Sequence, residues 1–244
     1  MFDFLSLPLW AVLGLIVLSA YFVRGITGFG SGLIAIPLLA IFLPLSVVVP
    51  MIGLLDYIAS SGHGMRHRQQ VQWREILPLL PFTLLGVGVA LYLFHTLDGE
   101  LLRQALGGFI LLYAFYTLIG RSPAGRVSRW WALPGGGLGG LIGTLFGTGG
   151  PFYVIYLQLR KLDKGQFRAT IAMVFLIDGS TRIVGYFATG LYHAQTIVLV
   201  AAALPLMVLA MYLGGRVHTS LSQRAFQRGI GILLIGSGLV LLLR

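Results

Sequence analysis

The chain has no cysteine at all. Thiol catalysis, cysteine-ligated zinc, iron–sulfur clusters and a disulfide scaffold are therefore excluded. Charge is nearly as scarce. Asp, Glu, Lys and Arg together make up 10% of the 244 residues, against about 25% in an ordinary soluble domain. Acids are the rarest of these, with seven against 17 basic residues, and only two of the basic residues are lysine. What fills the chain instead is apolar: 57% of residues are hydrophobic and the mean hydropathy is +0.90. A soluble enzyme of this length needs more polar surface than this to cover its core, so that class is excluded together with a disordered chain.

The net charge of +10 does not point to nucleic acid, because the basic residues sit in short connections between apolar runs, the pattern by which membrane topology is written. The N-terminus carries Asp3 and no Lys or Arg ahead of its apolar run. It lacks the basic start of a cleaved signal peptide and is expected to form a first membrane helix.

A bilayer core takes about 20 apolar residues as a helix. Apolar runs fall at Leu5–Val23, Leu33–Leu43, Leu45–Ser61, Ile76–Phe94, Leu101–Ile119, Trp131–Phe146, Pro151–Leu159, Ala169–Thr189, Thr196–Leu213 and Gly229–Leu243. Leu33–Leu43 and Pro151–Leu159 are too short to cross alone, and each follows a longer run after a glycine-rich break. Arg66, Arg68 and Arg74 occupy one connection; Arg121, Arg126 and Arg129 a second; Arg160, Lys161, Lys164 and Arg168 a third; Arg216, Arg224 and Arg228 the last. Residues 95–100 and 190–195 hold no Lys or Arg. The positive-inside rule places the four basic loops in the cytoplasm. Trp131–Leu159 must then enter and return, and both termini lie outside. The chain reads as two membrane repeats of opposite orientation, residues 1–120 and 131–244, joined by a basic cytoplasmic linker at 121–130. Each repeat is a glycine-broken, re-entrant-like helical hairpin plus three transmembrane helices, which makes the fold class an all-α polytopic membrane protein. Met51–Asp56 matches Met173–Asp178 in register, and Gly107 and Gly231 hold matching places in the last span of each half, as inverted repeats would.

The breaks carry the chemistry. Arg24-Gly25-Ile26-Thr27-Gly28-Phe29-Gly30-Ser31-Gly32 is the first, and Gly143-Thr144-Leu145-Phe146-Gly147-Thr148-Gly149-Gly150-Pro151 the second. Non-helical backbone at membrane depth persists only where protein buries it or water reaches it. Each break precedes a short helix. The free N–H groups and positive dipole end of such a helix attract an anion, and Ser31 and Thr148 can cap or donate. Glycine every fourth residue at Gly135, Gly139, Gly143 and Gly147 is equally a packing stripe. Gly135-x-Gly137-x-x-Gly140 matches the dinucleotide fingerprint only by letter, since no strand precedes it.

Charges inside apolar runs mark a pathway or a partner. Asp56, Asp178 and Arg182 lie in such runs, and Arg24 lies at the first break. Asp178 and Arg182, four apart, can pair on one helix face; that pair either neutralises itself or lends positive potential to an anion. Asp56 has no basic residue within a helical turn, so Asp56 and Asp178 are the candidates to carry a coupling proton. Tyr57, Ser60, Ser61, Tyr153, Tyr156, Gln158, Ser180, Thr181 and Tyr186 are candidates to line a pathway, and Trp73, Trp130 and Trp131 to anchor helix ends at the interface. His63 and His67 lack a third ligand for a metal.

The stretch Gly25-Ile26-Thr27-Gly28-Phe29-Gly30-Ser31-Gly32-Leu33-Ile34-Ala35-Ile36-Pro37 resembles the N-terminal signature of the TauE/SafE family of membrane permeases, and Gly140–Pro151 resembles that family's repeat of the motif. The resemblance spans essentially the whole chain and implies export or import of a small sulfur oxyanion or organosulfonate, as in a family whose members are described as exporters of sulfite or small organosulfonates. The second break departs from the first, with Thr148 in place of the Phe-Gly-Ser-Gly hydroxyl. The expected substrate-binding residues are Gly28, Gly30, Ser31, Gly32 and Leu33 from the first break and Gly147, Thr148, Gly149 and Gly150 from the second, with Arg182. They would grip one small anion near the midplane, with backbone N–H groups at residues 30–33 and 147–151 coordinating it. No ATP-binding motif is present, so a gradient or a partner is expected to supply the energy, with one half rocking against the other. The implied partners are the small anionic substrate, the lipid bilayer, a proton as coupling ion and, as an open option, a second copy in a homo-oligomer. No cofactor, metal, catalytic residue or nucleic acid is implied. An anion channel and an intramembrane aspartyl enzyme built on Asp56 and Asp178 are the rival classes; the inner membrane of the cell is the expected location.

Overall fold

The computed structural model describes residues 7–27, 30–61, 68–119, 125, 127–217 and 223–243. These are mostly helical, without a strand among the described residues: α1 (Leu7–Thr27), α2 (Ser31–Leu39), α3 (Leu45–Ser61), α4 (Trp73–Ile76), α5 (Leu79–Thr96), α6 (Gly99–Ile119), α7 (Ala132–Phe146), α8 (Gly150–Leu159), α9 (Lys164–Ala188), α10 (Ala194–Arg216) and α11 (Gln223–Leu243). Nine of the ten apolar runs each correspond to one helix, and the run Ile76–Phe94 is divided between the end of α4 and α5. The extra turn α4 is set off at Pro78, which has no N–H to donate to the turn before it; Leu77 and Pro78 both keep right-handed helical angles, and α5 starts anew at Leu79. α9 begins earlier than its apolar run. Asp163 caps it, accepting from the Gln166 N–H at 2.8 Å while the Gln166 side chain reaches back to the Asp163 N–H, a reciprocal arrangement that satisfies two otherwise open donors.

Among the described residues four helical stretches, Pro8–Ile26, Leu79–Thr96, Gly165–Ala188 and Ala194–Arg216, are long and apolar enough to cross a membrane. Their outward faces carry bare apolar side chains such as Leu85, Val184 and Phe187, the last 77% exposed. In water such patches aggregate; in lipid they are the solvated surface. The fold is that of an all-α polytopic membrane protein.

The helices form two compact units. One comprises Met1–Leu55, Gly99–Gly120 and Ala194–Arg244; the other Asp56–Asp98 and Arg121–His193. In the first, α1 packs along α10, α6 along α11, and α2 against α1 and α11. In the second, α7 packs along α5 and turns back as α8, while α9 lies against both α5 and α8. Each unit thus draws helices from both halves of the chain. The first helix of each half packs on the last helix but one of the other: α1 on α10, α7 on α5.

Glycine sets how closely these pairs approach. A Cβ at Gly25 would sit 2.7 Å from the Met211 carbonyl, and one at Gly214 would run into the Phe22 carbonyl. Cβ atoms at Gly86 and Gly140 would strike the Gly137 and Thr83 carbonyls. Association in lipid depends on such backbone-to-backbone contact, since no hydrophobic force separates helix from lipid. Gly140→Ala is therefore expected to destabilise the protein by about 1–3 kcal/mol through overpacking. Gly137→Ala, whose Cβ meets nothing within 4 Å, should be neutral or raise the melting temperature, because alanine is the better helix former. Thermal unfolding of the two variants in detergent checks the contrast.

Candidate functional site

The second break closes α7 and opens α8. Gly147 ends α7 in the left-handed region, φ 64° and ψ 12°, with its N–H on the Gly143 carbonyl at 2.9 Å; a side chain there would be strained. Thr148 and Gly149 follow, and Pro151 occupies the first turn of α8, where its missing N–H loses nothing. Gly149 folds directly onto α7: a Cβ there would strike the Gly139 carbonyl and lie 2.8 Å from the Gly143 Cα. Close packing thus accounts for Gly149, and for Gly139, whose Cβ would enter the Tyr153 ring.

α9 brings Asp178, Arg182 and Tyr186 to this place on one face, at four-residue spacing. Asp178 accepts from the Tyr153 hydroxyl at 2.9 Å through Oδ1 and meets Arg182 Nη1 at 3.5 Å through Oδ2. The Tyr153 hydroxyl also lies 3.4 Å from Thr83 Oγ1. Tyr186 donates to the Thr144 carbonyl at 2.6 Å. The Arg182 guanidinium reaches the break, 3.7 Å from where a Cβ of Gly143 would stand. Asp178, Thr144, Thr148, Tyr153 and Tyr186 are all buried, and the Arg182 side chain is 12% exposed.

Three buried polar atoms here lack any partner: Arg182 Nε, Thr148 Oγ1 and Thr144 Oγ1. Buried polar atoms are nearly always satisfied, and each exception needs a reason; leaving one unmade costs about 1–3 kcal/mol. An unpartnered guanidinium N–H, two unpartnered hydroxyls and the start of a ten-residue helix belong to this break and the helix packed on it, and the chemical complement of such donors is an oxyanion.

The first break lies in the other unit. Gly30, at φ 95°, caps α2, and Ser31, Gly32 and Leu33 are buried in its first turn. Arg24, 8% exposed, donates to Ser31 Oγ at 2.7 Å. Gly28 lies outside the described residues, as do His63 and His67. Asp56 stands on α3, its carbonyl accepting from the Ser60 hydroxyl. The structure thus joins Thr148, Gly147, Gly149, Gly150, Asp178 and Arg182 in one unit, and Gly30, Ser31, Gly32, Leu33 and Arg24 in the other. Among the described residues no group of acids and histidines could hold a metal.

Sequence reading placed Thr144 in the break without giving it a role, and it missed Thr83 and Glu75 altogether. Glu75, buried at the end of α4 ahead of α5, accepts from Arg160 Nε at 2.7 Å and Nη2 at 3.1 Å, from Arg129 at 3.2 Å and from the Tyr156 hydroxyl at 3.1 Å. Arg160 also donates to the Val127 carbonyl. Burial pushes the Glu75 carboxyl upward, but the bonds from Arg160 and Tyr156, the Arg160 charge and the bond from Arg129 outweigh it and hold the pKa below the ordinary carboxylate value. Its signal in the sequence was its isolation, the one acid in an arginine-rich connection.

Buried charges and hydroxyls around a broken helix in a polytopic helical chain are features of membrane transport proteins. The family described as "Sulfite exporter TauE/SafE" matches residues 13–241, and the chain belongs to that family. It is 33% identical over 193 residues, 78% of this chain and 81% of the other, to the "Probable inner membrane transporter protein TsaS" of Comamonas testosteroni. It is 27% identical over 98% of its length, and 95% of the other's, to the "Probable sulfite/organosulfonate exporter TauE" of Cupriavidus necator. No solved structure matches the chain.

Proposed function

We propose that this protein is a secondary transporter of the inner membrane that exports a small sulfur-containing anion, sulfite or an organosulfonate, held at the second helix break. The observation that carries the reading is the set of unpartnered donors, Arg182 Nε and Thr148 Oγ1, beside the start of α8. Tetrahedral sulfur oxyanions present several acceptor oxygens to such a set. The first break offers a like combination of arginine and hydroxyl, Arg24 with Ser31. The names of the two relatives supply the sulfur chemistry.

Inverted repeats are the organisation we favour, with basic loops in the cytoplasm and both termini outside. The reciprocal pairing of α1 with α10 and of α7 with α5 supports it. The same pairing bears on alternating access. Glycine-tight pairs join the two halves of the chain, so the bodies that move as wholes follow the compact units rather than the sequence halves.

Substrate-dependent thermal stability in detergent tests the reading, with sulfite, sulfate, thiosulfate, taurine, methanesulfonate and small carboxylates as ligands. A ligand at 100 times its Kd stabilises the native state by about 2.7 kcal/mol, a rise of roughly 5–10 °C for a chain of this length. Thr148→Val is expected to weaken binding about ten- to hundredfold, the loss of one bond to a charged group. A response confined to carboxylates, with silence toward every sulfur anion, would overturn the cargo. Counterflow of labelled substrate against its gradient in liposomes separates a transporter from an open channel, which cannot concentrate its solute.

A further inference from the structure

Asp178 occupies the position from which an anion would be repelled. Its Oδ2 faces the same Arg182 guanidinium, at 3.5 Å, that would bind the substrate. The buried charges at the second break balance as they stand, one carboxylate against one guanidinium. The other groups around Asp178 are formally neutral. They are Tyr153 from α8, Thr83 from α5, Tyr186 on α9 itself and Thr144 from α7, which accepts from Tyr186. Tyr192 stacks edge-on against Tyr186, and Tyr57 from α3 meets Ser180, two residues along α9. Glu75, on α4, is neutralised in its own cluster by Arg160 and Arg129. A monovalent anion arriving at Arg182 would leave the cluster with one net negative charge in a low-dielectric interior, which buried sites avoid by taking up a proton.

Resting on the anion site proposed above, we propose that Asp178 takes up one proton for each monovalent anion that Arg182 binds, so that anion and proton cross together. The proton adds to Oδ2, the oxygen facing Arg182, while Oδ1 continues to accept from Tyr153. No other bond is made or broken. Oδ2 changes from an acceptor that holds the guanidinium into a donor that turns, with it, toward the anion. The loaded site is electroneutral, so membrane potential drops out of the driving force. Export then runs whenever the inside-to-outside anion ratio exceeds the opposing proton ratio.

The experiment uses the full-length protein in liposomes with a trapped pH dye, a potassium–valinomycin clamp on the voltage, and methanesulfonate as the anion. Methanesulfonate is a strong acid and brings no proton of its own at neutral pH. A methanesulfonate gradient should move protons in the same direction, one per anion. The apparent affinity of the wild-type protein should weaken tenfold per pH unit on the alkaline side of the Asp178 titration. Asp178→Asn should abolish that pH dependence. Should this variant fail to fold, the wild-type stoichiometry alone decides. Methanesulfonate flux without proton movement, with an affinity indifferent to pH, would overturn the coupling and leave the anion site standing. Absence of methanesulfonate flux at every pH would overturn the anion site, and the coupling with it.

Discussion

Arg182→Gln is expected to abolish anion binding and to destabilise the empty protein by about 3–5 kcal/mol, the usual result of removing one partner of a buried charge pair. The two effects have different origins, and a second variant separates them. The stability loss comes from Asp178, left at 5% exposure with only the Tyr153 hydroxyl on its side chain. The binding loss comes from the missing guanidinium. In Arg182→Gln with Asp178→Asn neither charge is stranded, and neutral replacement of a buried pair is often harmless to stability. The double variant should therefore recover most of the lost melting temperature, a difference of roughly 10 °C, while remaining unable to respond to sulfite or sulfonate. Recovery of both properties together would show that Arg182 serves only to neutralise Asp178. Thermal unfolding with and without ligand reads both quantities in one measurement.

The pair Asp178–Arg182 was legible in the sequence because helical spacing alone puts residues four apart on one face. The breaks were legible for a similar local reason, as glycine interrupts an apolar run in a way that periodicity registers at once. Their packing was not legible. Gly149 reads as a residue of the site, and what the sequence did not show is that the backbone of α7 passes so close that nothing larger fits there; unpartnered side-chain atoms at the break are those of Thr144, Thr148 and Arg182. Tyr153 was one of nine polar side chains with equal claim to a pathway. Only the packing of α8 on α9, which depends on the loop at residues 160–163, sets its hydroxyl on Asp178. The partnering of helices was hidden for the same reason. Apolar helices in lipid have little to distinguish one neighbour from another except the shape of their small-residue stripes, so the choice of α10 for α1 and of α5 for α7 is a property of the assembled chain. Glu75 is the extreme case, its donors lying 54 and 85 residues along the sequence.

Glu75→Gln should lower stability by about 3–5 kcal/mol, as for other buried ion pairs stripped of one charge. The carboxylate takes four hydrogen bonds from three side chains, all of them donors. An amide keeps one acceptor oxygen and turns its NH2 toward guanidinium N–H groups that can offer it nothing. The two arginines should not be equivalent. Arg160 makes two bonds to Glu75 and is 11% exposed, whereas Arg129 makes one and is 51% exposed. Arg160→Ala is thus expected to approach the effect of Glu75→Gln, and Arg129→Ala to stay within about 1 kcal/mol, as exposed pairs do. The pH dependence has a definite sign. The folded-state pKa of Glu75 lies below its ordinary value, so the folded protein holds this proton more weakly than the unfolded chain. The contribution is complete above the unfolded pKa and is lost as pH falls through the folded one. Melting temperatures measured from neutral pH downward should show the wild type and Glu75→Gln converging in acid, as the carboxylate of the wild type is protonated. A gap that persisted undiminished below the folded pKa would mean that the shape of the side chain, rather than its charge, holds α4 to the ends of α8 and of the segment leading into α7.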